Sequence, residues 1–228
     1  MKKSILSIFY LLLGLYVFGQ SVSHDTIVDT RTGIKYPTVN INGTCWMAKN
    51  MNIGVMVQNT GQTDNGVIEK TCYNNDTCNC NTYGALYTFR EAMKYNESDL
   101  QGICPDCWHV ATKEDWMELY KLSVHGNVMQ QLKTNKAFSP AWDGNNSSGF
   151  NAIPAGLAYD SIFGRKGDWA IFWSSTLYDK NYSWSFEMDN YYRILSGFTD
   201  LKMTNTYLFR NAFSVRCVKN KQKTNVKP

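Results

Sequence analysis

The chain is organised around one stretch, Cys104-Pro-Asp-Cys-Trp-His-Val-Ala-Thr-Lys-Glu-Asp-Trp116. It brings together two cysteines three positions apart, a Trp–His pair and a helix start signal. Cys104 and Cys107 are by themselves compatible with a redox dithiol, half of a zinc site or a structural disulfide. The cellular compartment and the other five cysteines decide which chemistry applies.

The N-terminus predicts export. Two lysines precede a mostly apolar stretch over residues 5–17, and small residues around Gly19 offer a cleavage site before Gln20, which is the signal-peptide pattern. The apolar stretch is shorter than the roughly 20 residues of a membrane span. We therefore expect residues 1–19 to be a signal peptide. The mature chain should have no membrane span and should reach the periplasm, the outer-membrane surface or the medium.

The charge balance gives no reason to expect a nucleic-acid partner. Without residues 1–19 the chain loses two of its 23 basic residues and none of its 19 acidic ones, so the formal charge falls from +4 to +2. That is too near neutral to favour nucleic acid or an anionic membrane. Residues 20–30 are interpreted as a linker, residues 31–219 as one domain and residues 220–228 as a basic tail.

Export makes disulfides the default state of the seven cysteines. An odd number cannot pair completely within one chain, so one thiol should be free or intermolecular. A zinc site built from Cys78, Cys80, Cys104, Cys107 and His109 is disfavoured by the short Cys-x-Cys spacing and by export. A redox dithiol is disfavoured because no thioredoxin-like strand precedes Cys104. We interpret His109 as a hydrogen-bonded structural residue.

The first half of the chain predicts a hairpin and two helices. Residues 34–41 alternate apolar and polar side chains before the turn signal Asn42-Gly43. Residues 54–82 are interpreted as a long loop closed by disulfide chemistry. Apolar residues at helical spacing predict a helix over 83–95. A second helix is predicted from Thr112 to about His125. Asp115 stands three residues after Thr112, and the two residues predict a capping box at the start of this helix.

The second half predicts strands and loops. Residues 182–189 alternate apolar and polar side chains, which predicts a half-buried strand with Glu187 and Asp189 on its exposed side. Residues 207–217 repeat the alternation and predict a last strand with Arg216 on the polar face. Together with the two helices of the first half, these strands predict an α+β domain.

Several segments in this order resemble a known family: Asp29-Thr-Arg-Thr-Gly-Ile-Lys-Tyr36, Trp46-Met-Ala-Lys-Asn-Met51, Asn79-Cys-Asn-Thr-Tyr-Gly84, Cys104-Pro-Asp-Cys-Trp-His-Val110, Gly149-Phe-Asn-Ala-Ile-Pro-Ala-Gly156, Phe172-Trp-Ser-Ser-Thr176 and Phe213-Ser-Val-Arg-Cys-Val-Lys219. Over about residues 28–219 the chain resembles the Fibrobacter succinogenes major paralogous domain of exported Bacteroidetes and Fibrobacteres proteins. That family is similar to C-type-lectin-like and sulfatase-modifying-factor-like domains. The resemblance implies a C-type-lectin-like mixed core with long surface loops, and a role in surface binding or adhesion.

The resemblance also implies two disulfides. Four cysteines match family positions, and they imply the pairs Cys72–Cys80 and Cys104–Cys217. The second pair would join the segment before the second helix to the last strand.

Three cysteines depart from the family pattern. Cys107 stands where the family has glycine, and Cys45 and Cys78 are likewise additional. A further bond between Cys45 and Cys107 would leave Cys78 as the unpaired thiol.

Aromatic side chains in the polar loops of the second half suit the binding of a glycan or a protein, because they combine apolar area with a polar edge. The predicted contact residues are Trp142, Trp169, Tyr178, Tyr191, Tyr192 and Arg193. These observations predict an exported, non-catalytic binding or adhesion module at the cell surface.

Two other functions stay open. Glu187 and Asp189 could serve as the paired carboxylates of a carbohydrate-active enzyme, although adjacent acids on a strand are more often a solvated face. An unpaired cysteine could instead make the chain a disulfide-linked structural subunit. No resident cofactor is predicted, except that the oxygen-rich loops at residues 143–148 and 179–181 could coordinate calcium.

Overall fold

The computed structural model describes residues 24–121, 128–139, 141–189, 201–207 and 211–221. These residues form strands β1 (His24–Val28), β2 (Lys35–Ile41), β3 (Thr44–Met47), β4 (Val55–Met56), β5 (Glu69–Lys70), β6 (Tyr87–Thr88), β7 (Trp108–Val110), β8 (Leu157–Tyr159), β9 (Ile162–Gly164), β10 (Trp169–Leu177), β11 (Tyr182–Asp189), β12 (Leu201–Tyr207), β13 (Asn211–Phe213) and β14 (Cys217–Lys219). The helices are α1 (Thr77–Tyr83), α2 (Phe89–Ala92), α3 (Lys113–Lys121) and α4 (Val128–Leu132), with a 3-10 turn at Tyr73–Asn75. No helix in this described part of the chain is long and apolar enough to span a membrane.

The strands form one five-stranded sheet and three smaller ones. The five-stranded sheet has the order β1-β2-β3-β14-β7, and the others are β10-β11-β12, β6-β13-β8-β9 and β4-β5. The ladders of the three larger sheets are antiparallel, and β4 pairs with β5 in parallel. Short helices beside mostly antiparallel sheets confirm the predicted α+β class.

The hairpin prediction is confirmed. Asn42 and Gly43 have φ values of 51° and 81°, the left-handed conformations that the commonest two-residue hairpin turn requires. The carboxamide of Asn40 accepts a hydrogen bond from the Gly43 amide at 2.9 Å. Strands β2 and β3 then pair from Thr38 opposite Met47 to Ile41 opposite Thr44.

The linker prediction is wrong for residues 24–28. These residues are strand β1, which pairs with β2 over five positions, from His24 opposite Val39 to Val28 opposite Lys35. Their polar composition reflects an edge strand, of which only one side has a partner strand. The predicted signal peptide lies outside the described residues.

The helix predicted over residues 83–95 is also wrong. Helix α1 ends where Gly84 adopts φ 81°, and Tyr87–Thr88 then pairs with β13. Only Phe89–Ala92 is helical after that. The Tyr87 hydroxyl donates to the Ile53 carbonyl at 2.8 Å. The pairing with β13 therefore overrides the helical preference that the local sequence suggests. The apolar residues follow helical spacing because this segment is buried on several sides.

The start of the second helix is confirmed. The Thr112 hydroxyl accepts a hydrogen bond from the Asp115 amide at 3.1 Å, and the Asp115 carboxylate accepts one from the Thr112 amide at 2.9 Å. This is a capping box. The predicted end near His125 lies outside the described residues.

Strand β10 separates two hydrophobic clusters. Its side chains alternate, so Ile171 and Trp173 pack in the cluster that holds both cysteines of the Cys104–Cys217 disulfide. Phe172 packs in the other cluster, which is centred on Trp116. This alternation explains why β10 reads as an almost continuous apolar run.

The structure forms the two disulfides that the family resemblance implies, Cys72–Cys80 and Cys104–Cys217. The first joins Cys72, directly before the 3-10 turn, to Cys80 within α1. The second joins the segment before β7 to the first residue of β14.

The predicted bond between Cys45 and Cys107 is wrong, since both are free thiols together with Cys78. Cys45 lies on β3 and Cys107 directly precedes β7, with β14 between these two strands. Two strand spacings amount to about 10 Å, whereas the Cα atoms of a disulfide lie within about 7 Å. Three thiols are therefore unpaired instead of one.

Residues 207–217 do not form one strand. Strands β12, β13 and β14 belong to three different sheets, and residues 208–210 lie outside the described part. Arg216, predicted on the polar face, is fully buried. The backbone passes from one sheet to another here because Val215 and Arg216 form hydrogen bonds with other segments. The Val215 carbonyl accepts one from the Met51 amide at 3.0 Å.

Candidate functional site

The turn between β10 and β11 presents an exposed tyrosine. One carboxylate oxygen of Asp179 accepts hydrogen bonds from the Asn181 and Tyr182 amides at 2.7 and 3.0 Å. The Tyr178 amide donates to the Tyr182 carbonyl at 2.9 Å, which closes the hairpin. Tyr178 itself is 52% exposed, so this predicted contact residue lies at the surface.

Tyr178 is part of a group that we call the aromatic surface, made of Lys113, Tyr178, Tyr182 and Trp184. The rings of Tyr178 and Trp184 meet edge to face, with centroids 5.2 Å apart. Lys113 Nζ lies 3.8 Å from the centroid of the Trp184 ring, a cation–π contact. Tyr182 and Trp184 are two positions apart on β11 and therefore share one face of the sheet.

The opposite face of β11 is buried here, which corrects the predicted orientation. Ser183 and Ser185 are fully buried, whereas Tyr182 and Trp184 are only partly buried. The Ser183 hydroxyl donates to the Ser174 carbonyl at 2.8 Å. The small serine side chains therefore lie on the buried face of β11, and the rings of Tyr182 and Trp184 lie on its partly exposed face.

Asp189 is not on an exposed face, contrary to the prediction. Its side chain is buried, at 7% exposure, while Glu187 is partly exposed. The Asp189 carbonyl accepts a hydrogen bond from Lys133 Nζ at 2.8 Å. Paired catalytic carboxylates must both reach one sugar, and the burial of Asp189 weakens that alternative.

Two other predicted contact residues, Trp142 and Trp169, are not part of the aromatic surface. Trp142 is buried, with its indole N–H donating to the Ala152 carbonyl at 3.2 Å, so its predicted role is wrong. Trp169 is partly buried under Arg165, whose guanidinium carbon lies 4.7 Å from the ring centroid. Tyr191, Tyr192 and Arg193 lie outside the described residues.

The carboxylates of the two predicted calcium loops form contacts with groups of the protein itself. One oxygen of Asp143 lies 3.2 Å from Lys133 Nζ, and Asp179 accepts the two turn amides described above. Within the described ranges no three His, Cys, Asp or Glu side chains gather in a way that could hold a metal ion. Calcium at these loops stays a prediction.

Disulfide formation removes ligands from the zinc alternative. Cys80 and Cys104 are both bonded to other cysteines, so neither can supply a thiolate. The same bond at Cys104 excludes a dithiol with Cys107 in this state of the protein.

His109 joins three elements through its ring. Its Nε2 lies 2.9 Å from the Asp115 carboxylate at the start of α3, and its Nδ1 lies 2.7 Å from the carboxamide oxygen of Asn220, which follows β14. Burial opposes the charged ring, but the hydrogen bonds to Asp115 and Asn220 outweigh it and raise the pKa of His109. A protonated ring donates to both partners. The predicted structural, hydrogen-bonded role agrees with this geometry.

Sequence reasoning missed the contact between Lys113 and Trp184. These residues are 71 positions apart, and neither stands in a motif that marks a site. The sequence places Lys113 in the predicted second helix and Trp184 among the apolar positions of the predicted strand over residues 182–189. A partly exposed aromatic side chain in a half-buried strand has no local signal, so the contact of α3 with the β10–β11 hairpin is visible only in the three-dimensional structure.

The fold and this surface define an α+β domain with two disulfides. Residues 39–219 match the model of the Fibrobacter succinogenes major domain, and the chain belongs to this family. Comparisons with curated proteins and with solved structures gave no match.

Proposed function

We propose that this domain is an exported, non-catalytic binding module that recognises a carbohydrate or protein through the aromatic surface. The observation that carries the proposal is the half-exposed Tyr178 set edge to face against Trp184. Ring faces and edges with a phenol hydroxyl and a cation nearby suit a ligand that has both apolar C–H faces and hydroxyl groups. A pyranose ring is one such ligand.

The rigid support of this surface favours binding. The hairpin is held by the Asp179 side chain and by the buried Ser183 hydroxyl, and Lys113 is the first residue of α3, whose start is fixed by the capping box. Aromatic groups whose positions are fixed before binding lose little conformational freedom on contact with a ligand.

A C-type-lectin-like arrangement is part of the proposal. It is supported by the family resemblance and by the place of β14 between β3 and β7, which brings the beginning and the end of the domain into one sheet. Export to the periplasm, the outer-membrane surface or the medium rests on the predicted signal peptide.

A glycan array probed with the mature protein, with and without calcium, tests the proposed function. We expect one class of glycan to bind, and Tyr178→Ala and Trp184→Ala to weaken binding roughly tenfold or more each. Tyr159→Ala is the matched control, because Tyr159 is also an exposed tyrosine at 37% exposure but lies on the separate β8 strand. Unchanged binding by both variants, with intact thermal unfolding, would place the site elsewhere.

The exposed thiols support a second candidate function, a disulfide-linked surface subunit. Cys78 and Cys107 are both free and exposed, so either could bond to another chain in an oxidising compartment. Non-reducing gels of protein isolated from cells separate this candidate from the binding module. Only monomers in wild type would contradict it, whereas a dimer lost in Cys78→Ser or Cys107→Ser would support it.

A further inference from the structure

The cation of the aromatic surface has no carboxylate partner among the described residues. Lys113 Nζ lies 3.8 Å from the centroid of the Trp184 ring, and none of the ion pairs within the described ranges involves Lys113. Lys113 forms a hydrogen bond through its backbone amide, which donates to the Thr176 hydroxyl at 3.0 Å. In this part of the chain, its ammonium group therefore contacts a ring and no anion.

The ring contact leaves the ammonium of Lys113 able to bind a ligand. A ring face attracts positive charge, but it offers no oxygen acceptor to the three N–H donors of an ammonium. Lys113 is partly exposed, so this group lies at the surface. The contact with Trp184 also holds a flexible side chain in one place, which reduces the conformational entropy that Lys113 would lose on binding.

The acidic residues closest in sequence do not pair with this cation. Asp179 is held in the hairpin turn, where its carboxylate accepts the Asn181 amide at 2.7 Å. Glu114 is exposed and follows Lys113 on α3, and successive side chains of a helix project about 100° apart. Lys180 is exposed in the same turn and adds a second positive charge. A cation is thus the charged group in direct contact with the rings of the aromatic surface.

The small extent of the surface favours a saccharide over a protein. A protein partner usually covers about 800 Å² on each side of an interface. Tyr178 is the exposed large apolar side chain of the β10–β11 hairpin, at 52% exposure. The others in the described part of the chain lie on different strands and loops, namely Val28, Val55, Val67, Leu100, Tyr159 and Ile162. One exposed ring beside a cation matches the size of one or two sugar units.

We propose that the ligand of the aromatic surface is an acidic saccharide, with a carboxylate or sulfate group bound by Lys113 and a sugar ring packed against Tyr178. This inference rests on the proposed function and narrows its class of ligand. The tyrosine ring provides apolar area for the C–H face of a sugar. The ammonium provides N–H donors and a positive charge for the anionic group, and such charge-assisted hydrogen bonds are stronger than neutral ones.

Matched pairs of polysaccharides test the inference. Polygalacturonate and its methyl ester differ in carboxylate charge, and dextran sulfate and dextran differ in sulfate groups. Isothermal titration calorimetry with the mature protein measures each affinity, in the presence of a chelator so that calcium does not bridge carboxylates. We expect the acidic member of a pair to bind roughly fivefold more tightly or better, and less tightly at high ionic strength. The pair that shows this preference identifies the anionic group.

Variants of Lys113 show whether the preference arises at this surface. Lys113→Met removes the charge but keeps an apolar side chain against Trp184, and we expect the acidic probe to bind roughly fivefold more weakly. Lys113→Arg keeps the charge and should retain the preference. Lys35→Met is the matched control, because Lys35 is an exposed lysine on β2. A preference that survives in Lys113→Met, or an equal loss in Lys35→Met, would overturn the inference.

Tyr178→Ala separates failure of this inference from failure of the proposed function. Saccharide binding that is lost in Tyr178→Ala but is equal for the acidic and neutral probes would overturn the inference and leave the binding module standing. Binding of polyglutamate, but of none of the saccharides, would indicate an acidic peptide and would also overturn it. Binding of acidic saccharides that is unchanged in both Tyr178→Ala and Lys113→Met would contradict the proposed site itself.

Discussion

The Arg216 guanidinium donates a hydrogen bond to the Asn50 carboxamide oxygen at 2.6 Å, across 166 positions of sequence. Arg216 is fully buried and also donates to the carbonyls of Met47, Phe150 and Asn151, each at 2.8 Å. The Asn50 carboxamide donates in turn to the Tyr83 carbonyl at 2.8 Å. One cation thus joins the first hairpin, the end of α1 and the last strands.

Replacement of Arg216 should be strongly destabilising. Arg216→Met leaves three buried acceptors and one partly buried acceptor without their donor, and we expect a loss of roughly 3 kcal/mol or more in the free energy of unfolding. Urea denaturation measures the loss. Arg90→Met, at an exposed arginine of α2, is the control and should change stability by less than about 0.5 kcal/mol. A small loss for Arg216→Met would show that waters replace the cation.

The two disulfides should contribute unequally to stability. The Cys104–Cys217 bond spans 113 positions and the Cys72–Cys80 bond spans 8. In the chain-entropy model these loops correspond to about 5 and about 2.5 kcal/mol. The double alanine variants are a matched pair, since all four cysteines are buried. Chemical denaturation should therefore show the larger loss for Cys104→Ala/Cys217→Ala, and the reverse order would contradict the entropic account.

The His109 ring should stabilise the fold in a pH-dependent way. The folded-state pKa of His109 is raised above its ordinary value of 6.5. Its stabilisation is therefore complete below that value and is lost as the pH rises through the folded-state pKa. We expect His109→Gln to destabilise the protein more near pH 5.5 than near pH 8.5, measured by denaturant unfolding at both.

Asp115 sets the lower limit of that window. Burial opposes its charged form, but hydrogen bonds from His109 and Thr112 outweigh burial and lower the pKa of Asp115. Its contribution is present above its ordinary value of 3.8 and is lost as the pH falls through the lowered pKa. A loss for His109→Gln that is equal at both pH values would mean that the ring acts through packing alone.

Gly84 should not tolerate a side chain. It adopts φ 81°, and a Cβ atom there would lie 2.5 Å from Cβ of Asn50. Gly84→Ala should cost roughly 2 kcal/mol or more, because strain in the backbone adds to a clash with the Arg216 network. Gly164→Ala is the control, since no atom lies within 4 Å of its Cβ position. Thermal unfolding of the two variants checks the difference, and similar melting temperatures would contradict the expectation.

Signals that act over a few residues were readable in the sequence. The Asn42-Gly43 turn and the Thr112–Asp115 capping box are local, because each depends on backbone conformations and hydrogen bonds within four positions. The family pattern implied both disulfides, although it could not show that Cys45 and Cys107 are kept apart by β14.

Burial is a property of the whole fold, and it decided the features that could not be predicted from the sequence. Apolar spacing over residues 83–95 could not reveal that β13 would pair with Tyr87–Thr88. Alternation could not reveal that Arg216 enters the core, or that Ser183 is fully buried whereas Tyr182 and Trp184 are partly exposed. The candidate sites followed the same rule. The contact of Lys113 with Trp184 forms only when distant segments pack together. The sequence alone thus determined the α+β class, the first hairpin and the start of α3, whereas tertiary packing decided which side chains are exposed, paired or left without a partner.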